Sequence, residues 1–218
     1  MSRTAALIPA AGRGERLGQG PKAFLPLGKR SLLQVALAAL SPHVDEVVVA
    51  VSEATLSEAR SRFPEVRFTV GGASRQESVA RLLTATEAGT VVIHDAARPF
   101  VPASVLNDLL KAARKRGAAT AATAVADTLI ETATGDTIPR ELLRAVQTPQ
   151  GFRRELLVQA HESATREGTL ATDDAALVRA LGHPVALVEG SAWLFKVTTP
   201  TDYALARALI ETWEKRAA

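Results

Sequence analysis

The stretch EVVVAVSEATLSEARSRFPEVRFTV, residues 46–70, contains a strand, a helix and a second strand in close succession. Residues 46–51 are almost continuously apolar, residues 52–63 have helical spacing after a serine, and residues 66–70 return to strand-forming types. Nearly unbroken apolar strands are typical of parallel sheets that are covered on both faces. The stretch therefore predicts a βαβ unit of an α/β fold, with a right-handed crossover.

The same alternation continues on both sides of this unit. Residues 5–8 and 90–95 are predicted to be strands, and residues 31–40, 74–89 and 103–117 are predicted to be helices. Serine occupies plausible helix N-caps, and glycine follows two of the helix ends. We expect a Rossmann-like three-layer α/β fold with a mostly parallel sheet.

From about residue 118 the rhythm changes. Residues 118–131 and 136–152 lack helical punctuation, and the turn-forming sequence TATGDT lies between them at 132–137. We predict a protruding β-hairpin arm at about residues 123–148. Alternation then returns, with helices predicted at 153–167, at 172–181 and from about 201, and strands at PVALVEG (184–190) and WLFKVT (193–198).

Composition excludes several classes of protein. The chain has 218 residues, 47% of them hydrophobic and 22% charged, which is typical of one soluble domain spanning residues 1–218. No apolar run approaches a membrane span and no secretory leader is evident, so we expect a cytoplasmic protein without a membrane partner. The absence of cysteine excludes disulfides and thiolate chemistry. Despite a net charge of +3, basic residues are scattered and aromatics few, so we expect no nucleic-acid partner.

The glycine-rich segment after the first strand indicates an anion site. It does not fit the dinucleotide pattern, because Leu17 occupies the place of the third glycine, and "GKRS" at 28–31 lacks the spacing of a P-loop. The small residues at 10–14 allow backbone N–H groups to approach phosphate oxygens, and Arg16 and Lys22 add positive charge. A triphosphate fits this combination, although an ordinary strand-to-helix turn remains the alternative.

Longer motifs extend this indication along nearly the whole chain. They are IPAAGRGERL (8–17), GPKAFLPLGKRSLL (20–33), GGASRQESV (71–79), VVIHDAARPFV (91–101), AVADTL (124–129), QTPQGF (147–152), ATDDAALV (171–178) and FKVTTPTD (195–202). In this order they resemble the 2-C-methyl-D-erythritol 4-phosphate cytidylyltransferase family of sugar-nucleotide-type nucleotidyltransferases. The motifs HDAARP and QTPQ are far more specific than the glycine-rich loop.

The resemblance implies cytidylyl transfer from CTP to 2-C-methyl-D-erythritol 4-phosphate in the non-mevalonate isoprenoid pathway. Two alternatives stay open: a cytidylyltransferase for ribitol 5-phosphate or another polyol phosphate, and a non-catalytic nucleotide-binding regulatory module. A phosphomonoester is already anionic at neutral pH, so its attack on the α-phosphate needs no general base. Mg²⁺ as cofactor and fixed cations are therefore expected to dominate the chemistry.

The resemblance also assigns roles to individual residues. The catalytic cations are Arg16, Lys22 and Lys196. The CTP-binding residues are Ala10, Ala11, Gly12, Gly14, Gly72, Arg75, Ser78, Asp95 and Ala96, of which Gly72 and Ser78 select the cytosine. The residues that bind the sugar phosphate are Arg98, Thr128, Arg140, Thr148 and Thr172. In this family the arm crosses to a second subunit, so a homodimer is implied, with Thr128 and Arg140 acting in the partner's site.

Alternatives for single residues follow from their local patterns. Lys196 could simply leave a strand toward solvent, Asp95 could cap a turn and pair with Arg98, and Thr172 could be only a helix N-cap. Pro139 stands where relatives commonly carry an acidic residue, which leaves the direction of Arg140 open. No metal-ligand spacing is present among the histidines, so no protein metal ligands are predicted.

Overall fold

A seven-stranded sheet forms the centre of the protein in a computed structural model, which describes residues 3–12 and 20–217. The strands in the described residues are β1 (Thr4–Pro9), β2 (Pro26–Leu27), β3 (Arg30–Ser31), β4 (Glu46–Val51), β5 (Arg67–Val70), β6 (Thr90–Ile93), β7 (Ala118–Ala124), β8 (Leu129–Ile130), β9 (Thr137–Ile138), β10 (Arg144–Arg153) and β11 (Ala186–Glu189). The central sheet has the order β11-β7-β10-β6-β1-β4-β5. Only β10 runs antiparallel to its neighbours, so the prediction of a mostly parallel sheet is confirmed.

Helices cover both faces of this sheet. They are α1 (Leu32–Leu40), α2 (Glu53–Arg62), α3 (Arg75–Thr84), α4 (Ala103–Arg116), α5 (Arg154–Glu167), α6 (Asp174–Ala180) and α7 (Pro200–Ala217). Alternate residues of β1 enter different hydrophobic clusters, Ile8 with Leu37 and Leu109 on one face and Leu7 with Leu82 and Leu157 on the other. This alternation follows from the two-residue period of a strand and produces three layers.

The predicted strands and helices before residue 118 are confirmed, with small changes at their ends. Ser31 caps α1 in a capping box with Gln34, and the Ser74 hydroxyl accepts a hydrogen bond from the Glu77 N–H at the start of α3. Helix α3 ends at Thr84, five residues before the predicted end. Helices α1 and α3 therefore begin where a serine N-cap and apolar spacing predict them.

The predicted strand at 193–198 is wrong. Residues Ala192–Leu194 form a 3-10 turn instead, and the chain that follows has no regular partner strand. The aromatic side chains of the segment pack into a third cluster with Phe100 and Trp213, whose ring centroids lie 5.4 Å apart. Packing of these rings, rather than strand pairing, determines the local path.

The predicted arm is present but shorter than residues 123–148. Its flanks belong to the central sheet, because Ala124 pairs with Arg144 and Ala122 with Val146. Beyond them, β8 and β9 form a two-residue antiparallel ladder closed by a turn in which Gly135 has φ +79°. We call residues 125–143 the arm from here on. No helix in the described ranges 3–12 and 20–217 is long and apolar enough to cross a membrane.

Candidate active site

A cleft of about 210 Å³ lies beyond the carboxyl end of β6. Six of the predicted site residues line it: Arg75, Asp95, Arg98, Thr148, Thr172 and Lys196. Ligands of open α/β sheets bind at this edge, where loops from several strands converge. The structure thus brings together residues separated by more than 120 positions in the sequence.

Asp95 is the centre of the cleft's charge network. Its Oδ1 accepts a hydrogen bond from Arg75 Nε at 3.1 Å, and its Oδ2 accepts one from Lys196 Nζ at 2.7 Å. Burial alone would raise the pKa of the Asp95 carboxyl, but Arg75 and Lys196 outweigh it and hold that pKa far below its ordinary value. Asp95 is therefore a fixed carboxylate, and its side chain does not pair with Arg98.

Lys196 is not a lone lysine that leaves a strand toward solvent. Its ammonium pairs with Asp95, and 39% of its side chain stays exposed. The irregular segment that carries it is tied down by the Val197 N–H, which donates to the Ala97 carbonyl at 2.8 Å. Lys22 Nζ donates to the Val197 carbonyl at 2.7 Å, so the first loop and the Lys196 segment meet.

Arg98 holds the opposite side of the same segment. Its Nη1 donates to the Leu194 carbonyl, and its backbone N–H donates to the Asp95 carbonyl at 2.9 Å. Burial lowers the pKa of the Arg98 guanidinium below its ordinary value. Arg98 thus borders the cleft while it anchors the turn that precedes Lys196, and buried Ala96 lies beside it in the same loop.

A buried carboxylate, Asp174, lies behind Arg75. Arg75 Nη1 donates to Asp174 Oδ2 at 2.7 Å, and His161 Nε2 lies 3.0 Å from Asp174 Oδ1. Burial opposes the charge on Arg75, but Asp174 and Asp95 together raise its pKa above the ordinary value. Arg75 is therefore directed at two carboxylates rather than at the Gly72 turn, where it was expected to shape the cytosine site.

His94 and Thr148 form the floor beneath Asp95. The Asp95 N–H donates to Thr148 Oγ1 at 3.0 Å, and His94 Nδ1 lies 3.3 Å from the same oxygen. His94 Nε2 lies 2.9 Å from the Arg98 carbonyl, which makes Nε2 the donor. Burial lowers the pKa of His94 to about 4, so the imidazole is neutral at neutral pH.

The predicted cytosine corner is a tight turn after β5. Ser78 is buried, and its hydroxyl donates to the Ser74 carbonyl at 2.8 Å and accepts from the Gly72 N–H at 3.0 Å. A Cβ on Gly71 would lie 2.4 Å from Ala11 Cβ, so only glycine permits this approach to the first loop. Ser78 therefore shapes the turn from within.

The first loop is described only in part. The Ala10 N–H donates to the Ala50 carbonyl at 2.7 Å and continues the β1–β4 pairing, so this N–H is already used within the sheet. Gly12 is exposed, and a Cβ at this position would meet no described atom within 4 Å. Gly14 and Arg16 lie outside the described residues.

Thr172 lines the cleft, but it is not the N-cap of α6. The cap is Asp173, whose carboxylate accepts a hydrogen bond from the Ala176 N–H at 2.7 Å, and the helix begins at Asp174. An aspartate one position later satisfies the same orphan N–H groups. The interpretation of Thr172 as the helix cap is therefore wrong, because Asp173 makes the capping hydrogen bond instead.

Two predicted residues lie away from the cleft of their own chain. Thr128 and Arg140 are exposed on the arm, and neither lines the cleft. Arg140 Nη1 donates to the Ala126 carbonyl at 2.6 Å, so the guanidinium closes the base of the arm. Pro139 precedes it as the N-cap of a 3-10 turn, Arg140–Leu142.

Sequence reasoning missed Asp174, His94 and His161. Asp174 fits the pattern of an acidic residue in a helix's first turn. His161 lies in no motif, and His94 opens the HDAARP motif but was given no role. Their shared signal is a polar residue within a predicted apolar element, but their partners lie 13 positions away for His161, up to 54 for His94 and up to 99 for Asp174. In the part of the chain described, no group of three or more His, Asp or Glu side chains is placed to hold a metal ion.

The fold and the cleft together define a class of enzyme: the nucleotidyltransferases with a Rossmann-like three-layer sheet. Within this class, the chain belongs to the 2-C-methyl-D-erythritol 4-phosphate cytidylyltransferase family, whose model matches residues 4–212.

Individual relatives agree with this membership. The chain is 60% identical to the 2-C-methyl-D-erythritol 4-phosphate cytidylyltransferase of Deinococcus radiodurans over 210 residues, 95% of this chain and 89% of that protein. It is 51% identical to the enzyme of the same name from Thermus thermophilus, with 95% and 97% covered. A crystal structure of the Thermus thermophilus enzyme superposes with a TM-score of 0.86 and 47% identity, covering 96% of this chain and 99% of that one.

Proposed function

We propose that this chain transfers the cytidylyl group of CTP to 2-C-methyl-D-erythritol 4-phosphate. The products are 4-diphosphocytidyl-2-C-methyl-D-erythritol and pyrophosphate, in the non-mevalonate isoprenoid pathway. Family membership supports the reaction, and one structural observation carries the mechanism: the fixed Arg75–Asp95–Lys196 cluster opens into the cleft at the carboxyl end of the sheet. The reaction needs no general acid–base pair in this cleft.

The acceptor brings its own nucleophile. A phosphomonoester has a second pKa near 6, so its oxygen is anionic at neutral pH and attacks the α-phosphorus directly. The bond from that oxygen to phosphorus forms as the bond to the pyrophosphate oxygen breaks, and the leaving group departs with both electrons. The environment of His94 agrees with a scheme that needs no general base. Its ring is buried, and both its nitrogens face polar atoms of the protein rather than the cleft.

Fixed cations lower the barrier for this transfer. Lys196 would contact the α-phosphate, where charge develops in the transition state, while Lys22 and Arg16 would hold the triphosphate and the leaving pyrophosphate. The contact of Lys22 with the Val197 carbonyl supports this arrangement, because it brings the first loop's lysine next to the Lys196 segment. Both lysines then act on one triphosphate.

The nucleoside would lie between the first loop and the turn after β5. Backbone groups of Ala11, Gly12 and Gly14 would contact the phosphates, and Gly72 would contact the cytosine with Ser78 holding the turn behind it. Asp95 and Ala96 would face the ribose from the loop after β6. The close approach of Gly71 to Ala11 supports a shared nucleotide surface.

The sugar phosphate would bind at the other end of the cleft, against Arg98, Thr148 and Thr172. We propose that Thr128 and Arg140 complete this site from a second subunit, since neither lines the cleft of its own chain. An arginine offers two parallel hydrogen bonds to a phosphate. The functional unit is then a homodimer that associates through the arm.

Mg²⁺ would enter with the nucleotide. Mg²⁺ is commonly held by one or two carboxylates together with substrate phosphates and water. The chemistry of this cleft fits a metal carried mainly by the triphosphate, because Asp95 already accepts from two cations and Asp174 from Arg75 and His161. When bound, the metal neutralises charge on the phosphates. A cytoplasmic location stays a prediction.

The acceptor assay tests the function. Purified protein with Mg²⁺ and CTP is incubated with 2-C-methyl-D-erythritol 4-phosphate or with ribitol 5-phosphate, and pyrophosphate release is followed. We expect release with the first acceptor only. Release with ribitol 5-phosphate alone would reassign the acceptor, and no release with either would favour a nucleotide-binding module.

A mixed dimer tests the shared site. Lys196→Ala and Arg140→Ala subunits carrying different tags are co-expressed, and the mixed dimer is isolated through both tags. The assay is run at an acceptor concentration well below the KM, where loss of Arg140 lowers the rate. If the arm serves the partner's cleft, one of the two sites is intact, and activity returns to about half that of the wild-type dimer. Activity that stays at the level of either variant alone would place Arg140 outside the partner's site.

A further inference from the structure

Asp174 is a buried carboxylate that the proposed reaction does not use. It is 1% exposed, and its two oxygens face different partners: Oδ2 accepts from Arg75 Nη1 at 2.7 Å, and Oδ1 lies 3.0 Å from His161 Nε2. Because a carboxylate only accepts hydrogen bonds, the His161 ring carries its proton on Nε2. Three helices contribute to this contact, His161 from α5, Asp174 from the first turn of α6 and Arg75 from the first turn of α3.

The contact continues a chain of alternating groups that ends in the cleft. His161 donates to Asp174, Asp174 accepts from Arg75, and Arg75 donates to Asp95, which accepts from Lys196 at 2.7 Å. His161 and Asp174 lie in the protein interior, whereas the Lys196 side chain is 39% exposed. His161 and Asp174, at the buried end of the chain of contacts, therefore support the orientation of Lys196, the cation exposed in the cleft.

Arg75 is the link that depends most on Asp174. Its Nη2 is buried without a hydrogen-bond partner in the described part of the chain, so the two carboxylates alone hold the guanidinium plane. Removing one partner of a buried ion pair leaves the other charge uncompensated. Without Asp174, Arg75 would turn fully toward Asp95 and compete with Lys196 for its oxygens.

We infer that Asp174 and His161 are positioning residues, which hold Arg75 and through it set the place of the Lys196 ammonium at the reacting phosphate. This inference rests on the proposed function, in which Lys196 contacts the α-phosphate. Neither residue touches the substrates. Their loss is therefore expected to slow the chemical step more than it weakens binding of CTP.

The first test is Asp174→Asn, which keeps the shape and removes the charge. We expect kcat to fall by about 10²-fold, the scale of a small misplacement of a catalytic group, while the KM for CTP changes by less than about 3-fold. Asp45→Asn is the control for removing a carboxylate charge away from the cleft, because Asp45 is exposed and its Oδ2 accepts from the Thr4 N–H at 2.7 Å, at the amino end of β1. This control is expected to keep the wild-type kcat.

The second test uses His161 and stays decisive if Asp174→Asn fails to fold. His161→Gln retains an N–H donor near the position of Nε2, whereas His161→Leu removes it. We expect the leucine variant to lose about 10-fold in kcat, the scale for groups that orient catalytic residues, and the glutamine variant to recover most of that loss. Thermal unfolding of each variant confirms that folded protein is compared.

The outcomes separate the two proposals. Wild-type protein that is inactive with every acceptor would overturn the proposed function. Active wild-type protein with an unchanged kcat in Asp174→Asn, or equal kcat values in the two His161 variants, would overturn the positioning role alone. A loss that appears only as a raised KM for CTP would also overturn it.

Discussion

The cleft and the arm treat their charged side chains in opposite ways. In the cleft, Asp95 is buried and held by Arg75 and Lys196 through short hydrogen bonds within one chain. On the arm, the Arg140 side chain is 52% exposed and its Nη1 donates to a backbone carbonyl of the same arm. The difference teaches that the cleft residues proposed for the nucleotide are preorganised in one chain, whereas the arm residues proposed for the acceptor are not.

The apolar side chains of the two regions differ in the same sense. Phe100, next to the cleft loop, is completely buried and packs against Trp193 and Trp213. Ile130 and Leu142 on the arm are 60% and 81% exposed. These exposed apolar side chains are the surface that the second subunit of the proposed homodimer would cover, since an isolated hairpin of this size is marginally stable.

The largest effect is expected from Lys196→Ala, which removes a cation from the preorganised half. We expect kcat to fall by about 10² to 10³-fold, the scale of losing one donor to a developing oxyanion. Lys111→Ala, an exposed lysine of α4, is the matched control. A wild-type kcat in Lys196→Ala, measured by pyrophosphate release, would show that this cation of the preorganised cleft does not contribute to the chemical step.

The second-largest effect is expected on stability and concerns His94, the buried imidazole beneath Asp95. The pKa of His94 is about 4 in the folded chain, against an ordinary value of 6.5. As pH falls from 6.5 toward 4, the unfolded chain binds a proton that the folded chain does not, so the free energy of unfolding drops by about 3 kcal/mol over this window. Below about pH 4 both states are protonated and the loss is complete.

Urea unfolding between pH 7 and pH 4.5 measures this loss. His94→Gln is expected to flatten the pH dependence, whereas His43→Gln, at a partly exposed site away from the cleft, is expected to keep it. Equal slopes for wild type and His94→Gln would show that the cleft floor does not carry this pH sensitivity.

The smallest effect is expected from Arg140→Ala on the arm. Loss of a charged hydrogen bond to the acceptor phosphate is expected to raise the KM for 2-C-methyl-D-erythritol 4-phosphate by about 10-fold, with the KM for CTP unchanged. Arg144→Ala is the control, because Arg144 is also exposed and its Nη1 donates to the Leu143 carbonyl at 2.7 Å. Equal KM values for the two variants would argue against an acceptor role for Arg140.

Much of the fold could be predicted from local sequence. The strands at 46–51 and 90–93 and the helices that begin after Ser31 and Ser74 follow from apolar period and N-caps. The path of residues 193–198 could not be predicted, because the aromatic side chains of this segment pack in a cluster with Phe100 and Trp213. Strand period says nothing about such distant partners.

Six of the residues that line the cleft could be predicted from sequence motifs, but their contacts could not. Motifs indicated Asp95 and Lys196, yet their ion pair joins positions 101 residues apart. Asp174 was hidden for a related reason: an aspartate in a helix's first turn is common at the surface, and it is buried here by tertiary contacts with α5 and α3. The periodicity of a sequence does not show which side chains pair across different helices.

The reversed direction of β10 has a consequence for how such an enzyme diversifies. Because β10 runs antiparallel between β6 and β7, the connection from Ala124 to Arg144 leaves and re-enters the sheet at the same edge as the cleft. Residues 125–143 can therefore change in length or chemistry without altering a buried strand. Under the proposed function, variation in this peripheral insertion can alter the arm's contribution to acceptor choice while the residues proposed for the nucleotide stay unchanged.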